Sequence, residues 1–178
     1  MTRMSLEDAR KALIERQGSG ARYDAPAAPT DELLAVRRLT SVLARLINDM
    51  PDSSLSKGSE TARTVARAAL AARRLSEGLA AVRTAAQPAP VRVKLAVPAK
   101  DVLAAATLPA HALRHLFDHT RVHLNVEWRD MTDSGWDRDV LLDQAAVTSV
   151  RQLPVRHEQD LKASIQALSV QMASVAPN

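Results

Sequence analysis

Four long stretches of this chain repeat apolar residues at alternating three- and four-residue steps, the spacing that lines one side of an α-helix. The first stripe is Val36, Leu39, Leu43, Leu46/Ile47 and Met50, and the second is Val65, Ala69, Ala72, Leu75, Leu79 and Val82. The third runs through Leu113, Phe117, Thr120, Leu124 and Met131, and the fourth through Leu161, Ile165, Leu168 and Met172. A helix with one apolar stripe must bury it against another element, so four such helices predict an all-α four-helix bundle. The small residues of the second stripe imply a close helix approach or a lined pocket.

Punctuation between the stripes sets the boundaries. Thr30 is expected to cap the first helix, with Asp31 and Glu32 in the first turn, where the helix dipole favours anions. Pro51-Asp-Ser-Ser ends it, and Lys57-Gly58-Ser59-Glu60 opens the second helix, which runs from 61 to about 86. Residues 87–99 hold Pro88, Pro90 and Pro98 and read as a linker with an extended patch over 91–97. Leu108-Pro109 starts the third helix, with proline where its missing N–H is harmless. After Asp133-Ser-Gly135, residues 136–151 read as a long crossover with extended pieces around 140–142 and 146–148, and a fourth helix begins near Pro154. Ahead of the bundle, residues 5–17 form a mixed-charge helix candidate, followed by Gly18-Ser-Gly20 and a Pro-rich stretch. The expected organisation is an arm over 1–29 and a bundle over 30–175.

Composition narrows the chemistry. The 178 residues suit one domain and include no cysteine, so a disulfide framework, a thiolate nucleophile and a Cys-ligated zinc site are excluded. Any thiol chemistry would use an external thiol. The start of the chain lacks the apolar core of a signal peptide, and no apolar run approaches a membrane span, so a cytosolic protein without membrane contact is expected. The net charge of +4 invites a nucleic-acid reading. The arginines and lysines are however dispersed among carboxylates, without Gly-rich loops or aromatic stacking platforms, which fits a solvated surface better. No phosphate loop, nucleophile elbow or triad is visible.

Residues 21–29, then Ala110-His-Ala-Leu-Arg-His-Leu-Phe-Asp-His119 and His123-Leu-Asn-Val-Glu-Trp-Arg-Asp130, resemble the N-terminal domain of thiol-dependent maleylpyruvate isomerases, members of the DinB-like superfamily of four-helix metalloproteins. The similarity covers about residues 20 to 168, and the stretch from His123 to Asp130 is its most specific part. About ten residues follow, so the family's second domain is not expected here. The resemblance implies a DinB-like bundle and, in the family, a divalent metal held by a His on the second helix and a Glu-x-x-x-His pair on the fourth. Residues four apart share a helix face, which suits the pair to one ion.

This chain departs from that pattern at the ligand positions. The family enters its second helix through a motif of the form Pro-Gly-Trp-Thr, with the ligand His nine residues after the Gly. Here Lys57-Gly58-Ser59-Glu60 stands at the motif, and counting on without gaps puts Arg67 at the His position. On the fourth helix, anchoring on Leu153 and Arg156 puts Gln159 at the Glu position and Ala163 at the His position. A slip of one residue restores Glu158 and brings Lys162 to the His position. Neither register supplies the pair, so no metal site and no resident cofactor are expected.

These positions define the candidate site. With the gap-free register, Arg67 points toward the bundle centre, where it meets either an internal carboxylate or an anionic ligand, and the competing expectation is that it snorkels outward or is ion-paired for structure. Arg67, Arg156 and Gln159 are the expected contacts to a small anionic substrate, and His157 and Glu158 the expected acid and base. His111, His115, His119 and His123 recur every four residues along the third helix. The first two fall on its surface and the last two nearer its flank. Trp128 and Trp136 are expected to anchor the crossover. The functional expectation is a divergent, metal-free isomerase or transferase of this family. Its alternative is a non-catalytic module that binds a small ligand or a protein partner, which includes a homodimer.

Overall fold

The computed structural model describes residues 27–86, 89–143 and 146–175. The expected N-terminal helix over residues 5–17 lies outside them. The described residues form α1 (Thr30–Asp49), a 3-10 turn (Asp52–Leu55), α2 (Glu60–Thr84), β1 (Val91–Val93), α3 (Ala99–Ala106), α4 (Ala110–Asp130), α5 (Asp133–Trp136), β2 (Asp139–Leu142), β3 (Ala146–Ser149) and α6 (Gln152–Val175). The long helices α1, α4, α2 and α6 pack in that cyclic order around the bundle. None of the described helices is long and apolar enough to cross a membrane.

Every residue of the second and third predicted stripes is buried, as are Val36, Leu43, Ile47 and Met50 of the first and Leu161 and Leu168 of the fourth. The helix starts follow from local chemistry. Ser59 caps α2 by accepting the Ala62 N–H at 3.1 Å. The residue before it, Gly58, sits at φ 71°, the left-handed backbone that glycine adopts at least cost, and its N–H reaches the Ala106 carbonyl at 2.8 Å. Thr30 differs from expectation. It is the first helical residue of α1 rather than its cap, because Pro29 holds the cap position and the Thr30 hydroxyl turns back to the Ala28 carbonyl.

The linker and the crossover meet in a small sheet of order β1-β2-β3. β1 runs parallel to β2 with Val91 opposite Val140, and β2 runs antiparallel to β3 with Val140 opposite Thr148. Asp143 then accepts the Leu95 and Ala96 N–H groups on one carboxylate oxygen, at 3.0 and 3.2 Å. Val93 is buried against Gly78 of α2, where a Cβ would collide with its side chain.

The core falls into two apolar clusters along the bundle. The one at the sheet end holds Leu33, Leu75, Leu79, Leu124, Trp128 and Leu153. The other holds Val36, Val65, Ala69, Phe117, Leu161 and Leu168. Two buried polar side chains fall between the clusters along their helices, Thr120 between Phe117 and Leu124, and His157 between Leu153 and Leu161. The Thr120 hydroxyl is satisfied by the Phe117 carbonyl at 3.0 Å.

Candidate functional site

His157 is the polar group around which the interior opens. Its side chain is 6% exposed, and no described residue hydrogen-bonds to its ring. An imidazole loses its hydration on burial and, without an acceptor nearby, holds a proton poorly. Burial accordingly lowers its pKa from 6.5 to about 4, so the ring is neutral at physiological pH.

A cavity of about 420 Å³ lies between α2 and α6 beside this ring. Thr64, Arg67, Ala68 and Ala71 line it from α2, and His157, Asp160, Ala163 and Ser164 from α6. The space exists because α2 presents alanines where larger side chains would fill the gap between the helices. Thr64 is fixed on both sides, donating to the Glu60 carbonyl at 3.1 Å and accepting from Gln171 Nε2 at 3.1 Å.

Arg67 takes the outward of its two expected poses. It lines the cavity but is itself exposed, so it stands at the mouth. The helix period gives the reason. Position 67 lies two residues from both Val65 and Ala69, on the far side of the buried stripe, and joins Thr64 and Ala71 on the stripe that flanks α6.

Of the other expected contacts, Arg156 lines only a small adjoining hollow with Leu75, Leu95, His157 and Asp160. Gln159 is exposed and lines neither space. Glu158 pairs with Lys162 at 2.7 Å across one helix turn and does not line the cavity. The carboxyl brought to the cavity is Asp160, whose pKa is raised by desolvation against the opposing pull of the Arg156 charge. Its spacing could have revealed it, since Asp160 lies three residues after His157 and four before Ser164, and all three line the same cavity.

The donor set does not fit a divalent ion. Among the described residues that line the cavity, His157 and Asp160 are the only imidazole and carboxylate, two donors where a bound zinc takes at least three from the protein. Among the described residues no group of three or more His, Cys, Asp and Glu side chains is placed to hold a metal. The four histidines of α4 are all exposed, with the His119 and His123 rings tilted by 49° at 4.4 Å between centroids.

No protein-family model and no curated protein matches the chain. Among solved structures, the mycothiol-dependent maleylpyruvate isomerase is similar at a TM-score of 0.64 and 20% identity. A histidine-to-alanine variant of that enzyme is similar at 0.67 and 20%. Each comparison spans 84% of this chain and 63% of the other. Over that span the chain has the fold of the mycothiol-dependent maleylpyruvate isomerase.

Proposed function

We propose that the chain is a divergent DinB-like relative of maleylpyruvate isomerase that works without a bound metal, taking a small organic anion into the cavity between α2 and α6. The observation that carries this reading is the meeting of an exposed guanidinium, Arg67, and a buried neutral imidazole, His157, in one cavity of about 420 Å³. Arg67 binds a carboxylate at the mouth with two parallel hydrogen bonds. Ala68, Ala71 and Val97 shield the body of the ligand from water.

His157 then faces the ligand. A bound anion raises its basicity from the low value of the free protein, bringing it closer to the range useful for moving a proton in an isomerisation. Asp160 is the companion acid, since its raised pKa eases protonation and lowers repulsion with the anion. Glu158 stays with Lys162, and Arg156 acts on Asp160 through its charge. A thiol, if the reaction uses one, comes from outside, as the sequence contains no cysteine.

A second reading is a non-catalytic ligand-binding or interaction module. It is favoured by the same imidazole, because a pKa of about 4 lies far from the pH at which an acid-base group works best. Calorimetric titration with maleate, followed by an absorbance assay with maleylpyruvate with and without a thiol, separates the two. The proposal expects saturable maleate binding that weakens about tenfold in Arg67→Gln, together with turnover. Binding without turnover selects the module, and absence of binding removes both anion readings of this cavity.

A further inference from the structure

The gap between the apolar clusters opens on a second side of His157. Between α1 and α4 a cleft of about 380 Å³ runs inward to the same imidazole. This size lies in the usual range of ligand pockets, about 300–1,000 Å³. Its inner wall is apolar and buried, formed by Leu33, Val36, Phe117, Leu124 and Trp128.

Its rim has a different character. Arg37 from α1 and Arg121 and Arg129 from α4 all line the cleft, and among the described residues no acidic side chain does. Arg121 and Arg129 each use Nε to reach a carboxylate on their own helix, Asp118 at 2.7 Å and Asp130 at 3.2 Å. Among the described residues their terminal amino groups make no hydrogen bond. Arg37 has no carboxylate partner among the described residues and touches only Asn125 Oδ1 across the cleft, at a long 3.5 Å. Among the described residues the lining of this apolar slot thus carries three half-buried guanidiniums and no counter-charge of its own. That arrangement suits a ligand with an anionic head and an apolar body.

We propose that the cleft between α1 and α4 is a second ligand site, specific for an amphipathic carboxylic acid whose body lies against Phe117, Leu124 and Trp128 and whose carboxylate is held by Arg37 and Arg129. Among the described residues it shares only His157, Ala68 and Leu161 with the cavity that holds Arg67, and the case for it does not rest on the function proposed for that cavity.

The chain has two tryptophans, and one of them, Trp128, lines the cleft. Titration of the full chain with decanoate, followed by tryptophan fluorescence, therefore reads the site directly. The expected result is a saturable change whose Kd rises about tenfold in Arg37→Gln and further in the Arg37→Gln/Arg129→Gln pair, but is unchanged in Arg67→Gln. Glutamine keeps a donor for Asn125, and circular dichroism checks that the variants fold. The neutral analogue decanol is expected to bind about tenfold more weakly than decanoate. No saturable change at millimolar decanoate, equal affinity for decanol, or an unaltered Kd in the double variant would overturn the proposal. A decyl phosphate that binds tenfold tighter than decanoate would overturn the assignment of the head group as carboxylate.

Discussion

Gly78 of α2 and Val93 of β1 are in contact so close that a β-carbon on the glycine has no room beside the valine methyls. Alanine at 78 would gain about 1 kcal/mol of helix propensity, but forcing a methyl into a filled core costs about 1–3 kcal/mol. Gly78→Ala is therefore expected to lower the midpoint of urea unfolding. Val93→Ala makes the space, so the double variant should be less destabilised than the sum of the two singles. Strict additivity would show that the strand does not press on the helix.

The buried imidazole makes stability depend on pH in a defined window. Unfolded, His157 takes a proton near pH 6.5, whereas folded it resists until about pH 4. Between those values the unfolded chain binds more protons, so stability rises with pH. The contribution is complete above pH 6.5 and disappears as pH falls to about 4, on the order of 3 kcal/mol in total. His157→Gln should flatten this part of a stability-pH profile measured by chemical unfolding.

Arg114 closes the end of α1 from the neighbouring helix. Its Nε donates to the Ile47 carbonyl at 3.3 Å, Nη2 to the Met50 carbonyl at 2.8 Å and Nη1 to Asp52 at 2.5 Å. The carbonyl contacts are partly buried, while the Asp52 side chain is 78% exposed. Arg114→Ala should cost about 2–3 kcal/mol and Asp52→Asn less than about 1 kcal/mol. Equal losses in thermal unfolding would shift the weight to the ion pair.

Gly58 has a conformational role, because no described residue beyond its chain neighbours stands within 4 Å of where its β-carbon would be. Gly58→Ala should cost about 1–2 kcal/mol through its positive φ alone, and Gly58→Asn less, since asparagine tolerates this region better. Denaturation of the two variants side by side measures the difference.

The long helices were legible because their stripes are dense. Val65 through Val82 on α2 and Leu113 through Met131, which follows the last residue of α4, bury every predicted residue. The short pieces over residues 140–142 and 146–148 read as extended, and they are β2 and β3. The helix α3 was not legible, since its eight residues offer only Val102 and Ala106 to the core, too few for a period to appear. The site was legible in part. His157 was visible as a histidine near the positions where the resemblance puts ligands, but its isolation depends on which residues α2 and α4 place around it. The exposure of Arg67, one of its two expected poses, follows from its offset to Val65 and Ala69. A gap-free count from the helix entrance carries position along the helix but not the direction of the side chain.

The pairing of Val91 with Val140 joins residues about 50 positions apart, with three helices between them. Closing so long a loop costs chain entropy that a three-residue strand cannot offset alone. The ribbon therefore has little stability until α2 and α4 have docked and brought its ends together, making it a late event in folding. The same dependence makes the ribbon a gauge of the bundle. A weakening of the contact between α2 and α4 should be felt first as faster amide exchange in these strands, before the long helices lose protection.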